Sequence, residues 1–131
     1  MSKHLPSGFD LKTTYLDLRP DGSAREIAVT PDFWDALASG ARRVEGRRTA
    51  VFAMTEDWQH WERHPAGEEF VYCLSGVIDL VFDLPEGEHL VALRPGAGVL
   101  VPIGVWHRGV VREPGECLFV TPGEGTEHRP L

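Results

Sequence analysis

The chain is 131 residues long, enough for one domain whose core forms without disulfide support. It is 42% apolar and 25% charged, a balance that excludes an extensively disordered chain. A formal net charge of −7 argues against nucleic-acid binding by phosphate neutralisation, and no apolar run approaches the ~18 residues that a membrane span needs.

From the amino terminus, Met1–Leu11 lacks the long apolar stretch of a signal peptide, so the expected location is the cytoplasm. Ile27–Val29 reads as an edge strand. Thr30 before Pro31 offers an N-cap and a first-turn proline, and Phe33, Trp34 and Leu37 make one apolar face. With Gly40 as the stop, this pattern predicts a short helix over Pro31–Ser39. Arg42, Arg43, Arg47 and Arg48 form the one basic cluster, which reads as a solvated loop leading into a strand over Arg48–Thr55.

Beyond that point glycine recurs every 8–11 residues, at Gly76, Gly87, Gly96, Gly104, Gly115 and Gly123. Most of these sit in proline-containing turns. Between them lie apolar runs at Phe70–Leu74, Val77–Phe82, Leu90–Leu93, Val99–Val101 and Leu118–Thr121, with a further strand over Val105–Val111. Short strands at that spacing predict an all-β sandwich or barrel. The chain divides into an N-terminal extension (1–47) whose helix packs on the barrel, a barrel core (48–122) and a tail (123–131). Cys73 and Cys117 both lie in strand-like runs and are expected as buried free thiols, with Cys73 facing the interior.

The chemistry concentrates in His60-Trp61-Glu62-Arg63-His64-Pro65-Ala66-Gly67-Glu68-Glu69. In an extended chain His60, Glu62 and His64 share a face, and the turn at Pro65–Gly67 returns Glu69 beside His64. Imidazole and carboxylate donors together suit borderline divalent metals. His107 follows Pro102-Ile103-Gly104 in the next candidate strand. Trp61 and Trp106 then point outward, to be covered by the helix or by a second subunit. His89 and His128 sit in polar, turn-rich surroundings and read as exposed.

With these residues in hand the sequence resembles the cupin superfamily. The first family motif is His-x-His, three or four residues, Glu, six residues, Gly; His64, Glu69 and Gly76 keep its intervals. The second is Gly, five residues, Pro-x-Gly, two residues, His, three residues, Asn; Gly96, Pro102, Gly104 and His107 match it. Glu62 stands where the family has its first His, and Val111 where it has Asn. The resemblance implies a double-stranded β-helix (jelly-roll) barrel over roughly Arg48–Pro122 and a homodimer, and it leaves the first 45 or so residues, with their short helix, outside the family core.

It also implies one divalent transition metal (iron, manganese, nickel or zinc) held by His64, Glu69 and His107. Three readings of Glu62 stay open. It is a fourth metal ligand, or a general acid–base beside a two-His, one-carboxylate metal face, or one of two close carboxylates in a metal-free site. His60 is a possible substitute ligand, more naturally placed at the barrel mouth. The function implied is a metal-dependent enzyme of dioxygenase, isomerase or cyclase type acting on a small metabolite. The alternative is a non-catalytic small-molecule-binding or sensor module. Inward positions Val71, Leu80, Phe82, Val101 and Val105 predict an apolar lining and a small hydrophobic or aromatic ligand.

Overall fold

The computed structural model describes residues 5–131. Residues 1–4, part of the segment read for a signal peptide, lie outside the described residues. The chain runs β1 (Thr14–Leu18), β2 (Ala24–Ala28), α1 (Phe33–Ser39), β3 (Arg47–Met54), β4 (His60–Arg63), β5 (Glu69–Cys73) and β6 (Val77–Leu84). It continues through β7 (Gly87–Leu93), β8 (Gly98–Val101), β9 (His107–Glu113), β10 (Gly115–Pro122) and β11 (Glu127–Pro130).

The strands form two antiparallel sheets, ordered β2-β1-β3-β10-β5-β8 and β11-β4-β9-β6-β7. Alternation along β5 and β10 buries Val71 and Cys73 from one, Cys117 and Phe119 from the other. These meet Ile78, Leu80 and Phe82 of β6 in the core between the sheets. Each such side chain contributes about 1.5–3 kcal/mol by leaving water. Both cysteines are buried free thiols, as the sequence predicts. Burial, with Cys73 alongside, pushes the Cys117 thiol up to about 12. No helix among the described residues is long and apolar enough to cross a membrane.

The turn between β5 and β6 requires Gly76. Its φ is +80°, and a Cβ there would lie 2.6 Å from the Glu113 carbonyl oxygen. Gly40 likewise closes the helix in the left-handed region, at φ 82°, as its position predicts. The helix start differs from expectation: Asp32 is the N-cap and the first helical residue is Phe33. Thr30 turns its hydroxyl away from the helix amides and donates to Asp32 Oδ1 at 2.6 Å.

Packing of the helix follows its apolar face. Phe33 is fully buried and meets Tyr15 edge-on at 5.3 Å, and Tyr15 meets Phe52 at 5.6 Å. This row of rings joins the helix to the six-stranded sheet. It leaves the helix away from Trp61 and Trp106, whose expected cover is therefore corrected. Arg108 and Arg129 lie over Trp61 at 5.2 and 5.4 Å, and Arg63 and Arg129 over Trp106 at 4.6 and 4.7 Å. Cationic side chains of the same chain, not the helix, lie over these indoles.

Two strands have no counterpart in the sequence reading. Thr14–Leu18 inserts between β2 and β3, and the tail segment Glu127–Pro130 pairs with β4. The second of these changes the site, because it sets His128 directly across from Glu62.

Candidate metal centre

Strand pairing gathers the donors. β9 opens on His107, which is paired with Glu62 on one side and Phe82 on the other. Glu69 opens β5 opposite Val101 of β8, pointing inward from the facing sheet. His64 lies one residue past β4, where its carbonyl accepts a hydrogen bond from the Gly104 amide at 3.1 Å. That bond ties the two motif turns to each other.

His64, Glu69 and His107 are almost wholly buried, at 2%, 2% and 0% exposure. Glu69 lies between the imidazoles, with Oε2 3.2 Å from His64 Nε2 and Oε1 3.2 Å from His107 Nε2. Thr121 donates its hydroxyl to Glu69 Oε2 at 2.6 Å. The remaining three atoms, His64 Nε2, His107 Nε2 and Glu69 Oε1, are buried without a hydrogen-bond partner of proper geometry.

The other ring nitrogens explain why these atoms face one another. His107 Nδ1 lies 3.0 Å from the Val105 carbonyl, which can only accept, so Nδ1 carries a proton and neutral His107 presents its Nε2 lone pair to Glu69. His64 Nδ1 lies 2.9 Å from Thr126 Oγ1. A lone pair aimed at a carboxylate, as at His107, needs a cation between them, either a proton or a metal. Donors bound to one ion at about 2.1 Å, with angles between octahedral and tetrahedral, sit about 3.0–3.4 Å apart. The 3.2 Å separations fit that demand.

With protons in place of a metal, electrostatics couple the same groups. Burial pushes the Glu69 carboxyl up, but His107 and His64 outweigh it and hold it at about 2. Burial pushes His107 down, but the Glu69 carboxylate and the Val105 carbonyl outweigh it, leaving its pKa raised.

A family model described as the cupin domain matches residues 52–123, more than half of the chain. The chain belongs to the cupin family. Solved structures agree at the level of fold. This cupin is similar to a cupin-2 domain protein from Shewanella frigidimarina, with TM-score 0.52 and 17% identity over 62% of this chain and 78% of that one. It is similar to hydroquinone 1,2-dioxygenase PnpCD, solved with Cd2+ and 4-hydroxybenzonitrile, with TM-score 0.51, 22% identity and 61% of this chain covered. It is also similar to the hydroxypropylphosphonic acid epoxidase of S. wedmorenis in complex with fosfomycin, with TM-score 0.51, 20% identity and 59% of this chain covered. The cupin spans 59% and 44% of the lengths of those two enzymes. No curated protein matches the sequence.

Glu62 is the residue at which this cupin departs from the first family motif, and its position is distinctive. Its carboxylate belongs to two donor groups, one with His64 and His107, the other with His60 and His128. His128 Nε2 lies 3.2 Å and His60 Nε2 3.9 Å from Glu62 Oε1. Glu62 is thus the link between the buried donors and the barrel mouth. His60 lies at that mouth and His128 is exposed, as expected, but β11 draws His128 into the site.

Above Glu62 opens a cavity of about 660 Å³, lined by Trp34, Leu37, Arg48, His60, Glu62 and His128 among others. It differs from the predicted apolar lining. Val71, Leu80, Phe82 and Val101 do point inward, but they pack against one another as core, with Val105 at its edge. The open space lies under the helix and the tail, and basic and imidazole groups line it. Arg48 lies at the start of a strand, as expected, but is half-buried instead of solvated. It sits on β3 with its guanidinium over the Trp34 ring at 4.8 Å. The sequence reading also passed over Thr121 and Thr126. Thr121 carried a signal, since it continues the inward alternation of Cys117 and Phe119 towards Glu69.

Proposed function

We propose that this cupin binds one divalent transition metal through His64, Glu69 and His107, with Glu62 as fourth donor, and acts as a metal-dependent enzyme on a small molecule admitted through the mouth cavity. The supporting observation is the convergence of three buried, unpartnered donor atoms, His64 Nε2, His107 Nε2 and Glu69 Oε1, beside Glu62. Two imidazoles and carboxylate oxygens favour iron, manganese, nickel or zinc over calcium or magnesium. Such an ion, when bound, supplies Lewis-acid polarisation of a ligand oxygen. Thr121 and the Val105 carbonyl orient the donors, by hydrogen bonds to Glu69 and His107.

The contact of Glu62 with His128 favours a second reading of Glu62, as the proton-handling group. A carboxylate that touches imidazoles at the mouth and lies beside the buried donors can pass a proton between bound ligand and solvent.

Metal analysis of protein purified without a His tag tests the metal centre. One equivalent of transition metal after reconstitution, lost in His64→Ala and His107→Ala, is the expected result. Absence of stoichiometric metal in the wild type overturns it. Glu62→Ala separates the two readings: a large loss of metal affinity supports ligation, and retained metal supports proton handling. Incubating the loaded protein with a metabolite extract and following consumption by mass spectrometry tests turnover. Ligands retained unchanged would favour the non-catalytic binding or sensor module.

A further inference from the structure

The mouth cavity carries a positive group that neither the fold nor the metal centre uses. Arg48 projects from β3 into the cavity, and its Nε is buried with no hydrogen-bond partner. Among the described residues it forms no salt bridge. The neighbouring arginines are otherwise engaged: Arg43 pairs with Glu124, and Arg42 lies over Phe33 at 5.6 Å. Trp34 supports the Arg48 guanidinium from one side, at 4.8 Å from ring centroid to Cζ. Stacking of this kind leaves the planar edge, with its fork of N–H donors, free to face a ligand.

Arg48 is half-buried, its Nε is buried without a partner, and its terminal nitrogens reach the cavity, an arrangement that an anion at that place would complete. We infer that Arg48 is the anchor for the carboxylate of a small monoanionic ligand whose body lies between Trp34 and Leu37 on one side and Glu62 on the other. This assignment rests on the proposed metal-centred function and names its ligand class. A single negative charge fits best. The cavity wall also carries Glu62, which repels a dianion such as a phosphate monoester, while Glu124 is compensated by Arg43. The apolar surface of Trp34 and Leu37 suits a short hydrocarbon or aryl body. Burial lowers the Arg48 pKa, which Glu69 and Glu62 oppose by their charge, so the guanidinium has already lost part of its hydration before a ligand arrives.

Benzoate, its uncharged analogue benzamide and phenylphosphonate are the probes, titrated calorimetrically into metal-loaded and metal-free protein. Wild type should prefer benzoate to benzamide by about tenfold or more in both forms, as expected of charge-assisted hydrogen bonds. Phenylphosphonate should bind no tighter than benzoate. Arg48→Gln should reduce the preference for benzoate to less than about twofold while metal stoichiometry is retained, and Arg48→Lys should keep part of it. Ala38→Glu, at an exposed cavity position that does not disturb the core, should weaken benzoate as well. Equal binding of benzoate and benzamide to wild type overturns the proposal, as does an Arg48→Gln protein with unchanged preference. Loss of the metal centre alone would instead appear as absent metal with the benzoate preference intact in the metal-free protein.

Discussion

Replacing Thr121 by valine removes one hydroxyl and little else, because the two side chains have nearly the same shape. Thr121 is fully buried and donates to Glu69 Oε2 at 2.6 Å, while Glu69 itself is 2% exposed. A hydrogen bond to a charged group contributes about 1.5–3 kcal/mol, and water cannot readily reach this carboxylate to replace it. Metal-free Thr121→Val should therefore lose about 2 kcal/mol, or roughly 6–12 °C in melting temperature for a domain of this size. Metal affinity should fall as well, by about 10–100-fold, because the hydroxyl orients a donor carboxylate. Thermal unfolding and competitive metal titration, made on the same preparation, read both effects. An affinity within about twofold of wild type would refute the role of Thr121 in orienting Glu69, and an unchanged melting temperature would refute the energetic reasoning.

The remaining predictions test electrostatics and packing. Glu69 has a folded pKa of about 2 against an ordinary 4.5, so its contribution to stability is complete above pH 4.5 and is lost as pH falls towards 2. His107 is raised above its ordinary 6.5, so its contribution is complete below that value and is lost as pH rises through the folded pKa. Metal-free protein should accordingly be most stable between about pH 4.5 and 6.5 in chemical denaturation, and added metal should abolish the alkaline decline by replacing the proton. Gly76→Ala should destabilise by about 2 kcal/mol or more, since φ +80° and the Glu113 carbonyl both oppose a Cβ, and urea unfolding measures it. Arg129→Ala uncovers Trp61 and Trp106 and frees Asp83, so tryptophan emission should shift to the red with a stability loss of about 1 kcal/mol.

Strands with apolar alternation and glycine-bearing turns were legible in the sequence, because burial on one face and a positive φ each leave a residue-level mark. So were the buried donors His64, Glu69 and His107, through their fixed intervals. What escaped was whatever depends on a partner far along the chain. Glu127–Pro130 has no apolar member, and its strand exists only because β4 offers a free edge. With that strand went the roles of His128 and Thr126. Thr14–Leu18 escaped because its inward positions are Tyr15 and Asp17, and the buried Asp17 serves the amides of Glu45 and Gly46 instead of the core. The inward parity of Val71, Leu80, Phe82 and Val101 was correct, yet parity does not distinguish a packed core from a cavity wall.

Glu62 in place of an imidazole changes the charge of the whole site, and Arg48 takes its meaning from that change. A divalent ion with Glu69 and two neutral imidazoles keeps one positive charge and would attract an anion unaided. With Glu62 as a fourth donor the centre is neutral, and that attraction is gone. On the proposed reading with Glu62 as ligand, Glu62 and Arg48 together would shift the positive charge from the metal to the cavity wall. The anion would then be held at Arg48 and the rest of the ligand presented to the metal, which divides binding from chemistry between two places. Glu62→Gln provides the check, because it restores a positive metal centre without altering Arg48. Benzoate affinity of the loaded Glu62→Gln protein should rise, and its dependence on Arg48 should weaken. If the affinity falls instead, the carboxylate of Glu62 is helping to hold the ligand, and the division between the two places is wrong.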